Sequence, residues 1–127
     1  LAESGGMLGF SLYPLHIGGA ACTLEAFTGM VARAADLMGV EHIGIGSDTV
    51  RGWPDSVLDW MRSGRWTYTS AKPSWPDWQS WYRTPGDFGN LTAGLLARGF
   101  SAEDVARIMG GNWLDFMDAG FRLSAFQ

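Results

Sequence analysis

Asp48 closes the run Val40-Glu41-His42-Ile43-Gly44-Ile45-Gly46-Ser47-Asp48. A carboxylate at the end of an apolar, glycine-interleaved segment stands where parallel α/β folds build their sites. Tyr13 ends a second such run, Met7-Leu8-Gly9-Phe10-Ser11-Leu12-Tyr13, just before Pro14. The plain alternative for Asp48 is a loop aspartate that caps the next turn, and position alone does not choose between the two. The only histidines, His16 and His42, show neither His-x-His nor His-x-x-x-His spacing, so the sequence offers no metal-ligand pair. His16, just past Tyr13, is a candidate substrate contact, whereas His42 reads as a packed structural residue. The single cysteine, Cys22, lies in a small-residue loop and reads as inert. It can form no internal disulfide, which fits a reducing compartment and favours the cytoplasm.

The elements that must hold these groups follow from periodicity. Residues 7–13, bounded by Gly5-Gly6 and Pro14, read as a short strand. Thr23 is a candidate N-cap with Glu25 in the first turn, and Leu24, Phe27, Val31, Ala34, Ala35 and Met38 recur at helical spacing until Gly39. Residues 40–48 read as a second strand, which makes a βαβ unit with parallel strands and a right-handed crossover. Side chains alternate across a strand. Leu8, Phe10, Leu12, Ile43 and Ile45 should therefore face the helices, while Gly9, Ser11, Tyr13, Gly44, Gly46 and Asp48 face the other way. Tyr13 and Asp48 then share one side at the C-terminal strand ends, where parallel α/β folds build their sites.

From Thr49 to Asn90 no sustained period appears, apart from a short helix over residues 56–62. Six of the seven tryptophans fall there, between Trp53 and Trp81 (Trp53, Trp60, Trp66, Trp75, Trp78, Trp81), interleaved with Arg51, Arg62, Arg65, Lys72 and Arg83. A loop of this length inside a compact domain is usually functional or disordered, and its aromatic content argues against disorder. Leu91, Leu95 and Leu96 begin a helix ending at Gly99. Ser101 with Asp104 resembles a capping box opening another, to about Met109. Gly110-Gly111-Asn112 punctuates, and Trp113, Leu114, Phe116 and Met117 give a last amphipathic turn or two. The 127 residues, 46% hydrophobic and 17% charged, amount to one globular domain at most. A net charge of −4 is the wrong sign for a nucleic-acid partner, and no apolar run approaches the roughly 18 residues of a membrane span.

Several stretches together resemble the C-terminal part of the membrane dipeptidase family, also called renal dipeptidase or peptidase family M19, within the amidohydrolase superfamily. They are residues 5–14 (Gly-Gly-Met-Leu-Gly-Phe-Ser-Leu-Tyr-Pro), 40–48, Trp60 to Thr67, and Asn90 through Trp113 with its Met109-Gly110-Gly111-Asn112 turn. The resemblance implies a (β/α)₈ TIM barrel of which this chain supplies the last two parallel strands, their helices and a long Trp-rich loop. Residues 1–127 would then be an incomplete domain, with 49–90 the aromatic loop within it; a chain beginning at Leu1 rather than Met fits that expectation. The family implied is a metalloprotease that cleaves dipeptides with water activated by two Zn²⁺ ions. By resemblance Asp48 is the proton-transfer carboxylate and Tyr13 faces the substrate.

The family's metal ligands are a His-x-Asp pair, a Glu and two further His residues on earlier strands, none of them in this chain. The zinc ligands are therefore expected outside it, the isolated chain is expected to be inactive, and the rest of the barrel, on the same or a partner chain, is an expected partner beside the dipeptide. A homo-oligomer is a further expectation. Two strands cannot close a barrel and would leave both edges unpaired. The alternative function is a non-catalytic fragment or subunit, or an aromatic-rich ligand-binding module in which the tryptophans stack on a sugar or aromatic ligand; against it stands a loop that packs on itself over the barrel mouth.

Overall fold

The computed structural model describes residues 1–49, 52–61 and 75–124. Trp66, Arg51, Arg62, Arg65 and Lys72, and with them most of the Trp60–Thr67 stretch, lie outside the described residues. Two strands, β1 (Leu8–Ser11) and β2 (Ile43–Gly46), flank the helix α1 (Leu24–Met38) in sequence. They pair in parallel with Leu8 opposite Ile43 and Ser11 opposite Gly46. Both strands are shorter than their apolar runs. Pro14 starts a 3₁₀ turn over Pro14–His16, and Val40–His42 forms another after the positive-φ Gly39. His42 is consequently no strand residue. Its Nδ1 lies 3.0 Å from the Gly6 carbonyl oxygen, and since a carbonyl only accepts, that nitrogen carries the proton.

α1 starts where Thr23 Oγ1 accepts the Ala26 N–H at 3.1 Å. It buries Phe27 and Val31 against the sheet and against α3 (Phe88–Arg98), whose Leu91 and Leu95 are fully buried. Phe10 meets Phe27 edge-on at 5.9 Å, so the bulky strand face does look toward the helices. Leu12, Ile43, Tyr82, Val105 and Ile108 complete this core, together with Trp81. A short helix α2 (Asp55–Met61) follows the second strand.

α3 begins at Phe88, one turn earlier than its leucines predict, because the preceding turn is tied down by a carboxylate. Asp87 Oδ2 accepts the backbone N–H groups of Arg83 and Thr84 at 2.9 and 2.8 Å and the Thr84 hydroxyl at 3.2 Å. These bonds, the Arg83 amide first, hold the Asp87 carboxyl below its ordinary pKa. A carboxylate whose pKa is depressed on folding adds stability that is complete above the unfolded-state value and is lost as the pH falls through the lowered one. The stability difference between the native chain and Asp87→Asn should therefore stay flat at neutral pH and shrink on acidification below about 4, as read from denaturation midpoints across pH.

The C-terminal region differs from its expected form. α4 (Ala102–Ala106), capped by the Ser101 hydroxyl on the Asp104 N–H at 3.1 Å, runs through a π-type turn at Arg107–Gly111 into α5 (Asn112–Ser124). The kink falls at Gly110, and the glycine pair thus bends the path rather than ending it, leaving a helix of 13 residues where one or two turns were expected. Asn112, 3% exposed, ties α5 to β2 by donating from Nδ2 to the carbonyls of Val40 (2.7 Å) and Ile43 (2.8 Å). Next to it the Trp113 indole lies across the glycine face of the sheet and donates to the Ile45 carbonyl at 3.2 Å. A Cβ on Gly44 would come within 2.7 Å of Cδ1 and Cε2 of that indole. Gly44→Ala is accordingly expected to cost about 1–3 kcal/mol by overpacking, measurable by chemical denaturation, whereas Gly46→Ala, which meets nothing within 4 Å, should cost far less. Among the described residues no helix is long and apolar enough to cross a membrane.

Candidate functional site

The register of the sheet decides what meets at its C-terminal end. Ser11 and Gly46 are the last paired residues, and Tyr13 and Asp48 each stand two positions beyond them. Strand alternation continued to these positions would put both on the glycine face, although both stand past the strand ends and Asp48 has left the extended conformation. Both line one cleft of about 230 Å³, together with His16 from the turn after β1, Trp53, Leu58 and Met61 from the segment 52–61, and Trp75 and Trp78 from the segment that follows.

Each wall has its own support. The Ser11 hydroxyl accepts the Tyr13 N–H at 3.1 Å and lies 2.9 Å from His16 Nδ1. It thereby fixes the His16 ring through one nitrogen and leaves Nε2 unengaged by it. Tyr13 packs edge-on against His16 at 5.2 Å and against Trp78 at 6.2 Å. Across the cleft, Asp48 is exposed and is the one non-glycine residue with positive φ (52°) among the described residues. Aspartate tolerates this left-handed conformation better than most residues. The chain is caught again at the next position, where Thr49 Oγ1 and the hydroxyl of the fully buried Tyr82 are 2.7 Å apart.

The segment 75–82 is pinned over the strand ends at two further points. Gln79, fully buried, donates from Nε2 to the Leu12 carbonyl at 2.8 Å, and Trp81 Nε1 donates to the Cys22 carbonyl at 2.8 Å. Gln79 Oε1 and Trp75 Nε1 are buried without a hydrogen-bond partner among the described residues. Burial raises the Cys22 thiol above its ordinary pKa, and Sγ contacts the Thr23 carbonyl at 3.6 Å; the protonated thiol is a poor nucleophile at neutral pH.

The described tryptophans divide by location and make no single platform among themselves. Trp81 belongs to the core, 5.2 Å from the Phe27 ring; Trp53, Trp75 and Trp78 line the cleft; Trp60 is 74% exposed. Among the described residues no three His, Cys, Asp or Glu side chains gather as metal ligands. The cleft holds two groups of ligating type, His16 and Asp48, which do not by themselves fit a zinc site.

The overall geometry has a counterpart among solved structures. A crystal structure of an amidohydrolase from Pseudomonas aeruginosa superposes with a TM-score of 0.76 at 26% sequence identity, over 91% of this chain and 36% of that one. The chain is similar to part of an amidohydrolase. It spans 36% of the length of the protein it matches. No protein-family model and no curated protein matches the sequence.

Ser11, Thr49, Gln79 and Tyr82 support the cleft without having been singled out from the sequence. Ser11 left a faint trace, a hydroxyl in an otherwise apolar strand two residues before Tyr13. Gln79 left none, because its partner is a backbone carbonyl 67 residues away.

Proposed function

We propose that this chain forms one side of the active site of a hydrolase that cleaves dipeptides, in the manner of the M19 family it resembles, within a (β/α)₈ barrel completed by residues outside this chain. The observation that carries the reading is the meeting of Asp48 and Tyr13 in one cleft, each two residues beyond the C-terminal end of one of two parallel strands. The likeness to an amidohydrolase supports the same reading.

In this proposal Asp48 accepts a proton from the water that attacks the peptide carbonyl carbon and delivers it to the leaving amine as the C–N bond breaks. Tyr13 and the unengaged face of His16 contact the substrate. Zinc, if it serves here as in the family, takes its ligands from elsewhere, since the described residues supply no ligand set. The remaining part of the barrel, or a partner chain, has surfaces to pack on: Leu114 and Met117 are exposed one turn apart on α5, and the sheet has two strands among the described residues. The single cysteine suits a cytoplasmic setting.

Hydrolysis of a dipeptide panel by the whole protein, with metal analysis of the same sample, tests the reading. Turnover with bound metal is the expected result. Ligand binding without turnover would favour the alternative of an aromatic-rich binding module, which the three cleft tryptophans support.

A further inference from the structure

The composition of the cleft wall bears on what it takes in, given the proposed hydrolase reading on which this inference rests. The described walls enclose about 230 Å³, room for one large side chain. Trp53, Trp75, Trp78, Leu58 and Met61 make most of its lining. Trp78 is held between Tyr13 at 6.2 Å and Tyr82 at 6.1 Å, so this wall stands before any ligand arrives and costs little to order. Trp53, by contrast, is 47% exposed and has apolar area left to lose to an occupant. Among the described lining residues Asp48 is the one carboxylate, and no Lys or Arg accompanies it.

We infer that this cleft is a specificity pocket for a bulky apolar side chain of the substrate, an aromatic one above all. An aromatic ring here would replace water against three indoles and gain both area burial and edge-to-face contacts.

The experiment compares glycyl-phenylalanine, glycyl-glycine and glycyl-aspartate with the whole protein, by kcat/KM and by calorimetric binding. Glycyl-phenylalanine should exceed glycyl-glycine by about ten- to a hundredfold in both, the gain expected for burying one large apolar side chain. Glycyl-aspartate, whose polar side chain has little apolar area to bury, should gain nothing over glycyl-glycine. Trp53→Ala, a change at a half-exposed position, should reduce the aromatic preference about threefold or more, and Trp53→Phe should restore most of it. In Asp48→Asn the binding preference for phenylalanine should persist. Equal affinities for the three dipeptides, no detectable binding of any, or a preference untouched by Trp53→Ala would overturn the inference. Because binding is measured apart from turnover, loss of the hydrolase reading alone leaves the calorimetric result standing.

Discussion

Asp48→Asn is expected to lower turnover by about 10²-fold or more while leaving the fold intact. The amide keeps the size of the side chain and, like aspartate, accepts the left-handed backbone found here at φ 52°. What disappears is the ability to accept a proton and hand it on. Thermal unfolding of the variant should therefore show a stability change within about 0.5 kcal/mol, as for surface substitutions generally. Asp48→Ala should lose activity to a similar degree and a further 1 kcal/mol or so of stability, because alanine has no such tolerance for positive φ. Steady-state kinetics and calorimetry on the two variants separate the chemical role from the conformational one. Unchanged turnover in Asp48→Asn sinks the assignment.

The largest effect on stability is expected at Asn112. Its Nδ2 serves the carbonyls of Val40 and Ile43, which straddle the start of β2. Truncation to alanine leaves the buried Ile43 carbonyl without this donor, while the half-buried Val40 carbonyl keeps the Ile43 N–H; at about 1–3 kcal/mol for the buried group and about 0.5–1.5 kcal/mol for the bond at Val40, the loss should come to roughly 3 kcal/mol. Against a total of about 5–15 kcal/mol for a typical protein, that is a large share. Asn112→Asp should be no better at neutral pH, since a carboxylate would face two carbonyl oxygens and could donate to neither. The denaturant midpoint reads the result; a midpoint equal to that of the native protein would show that the two bonds contribute nothing.

The βαβ unit was legible because its signals are local: alternation within residues 7–13 and 40–48, the Thr23 cap, and the glycine after Met38. Parity along the strands put Tyr13 and Asp48 on one side, and both line one cleft, although both stand beyond the strands that the parity described. Local signals failed first where a neighbouring residue redirects the chain. Val40–His42 turns as a 3₁₀ segment because Gly39 reorients the chain, and α3 gains a turn from the Asp87 carboxylate. The continuity of α4 into α5 was hidden by a glycine pair that normally stops a helix. Most of the support for the cleft was invisible for a different reason: the Gln79 and Trp81 side chains find backbone carbonyls 67 and 59 residues away, and no pattern in the sequence announces such partners.

The left-handed backbone at Asp48 also limits how this position can change over generations. Glycine, asparagine and aspartate occupy such a conformation at low cost, and most other side chains lose about 1–2 kcal/mol there. Of the three, aspartate alone carries a titratable group. A lineage that no longer needed proton transfer would find its cheapest exits at asparagine or glycine, each a single nucleotide away from an aspartate codon and neither penalised by the fold. Whichever of the three stands at this position in a relative therefore reports on selection for chemistry, since stability hardly distinguishes them.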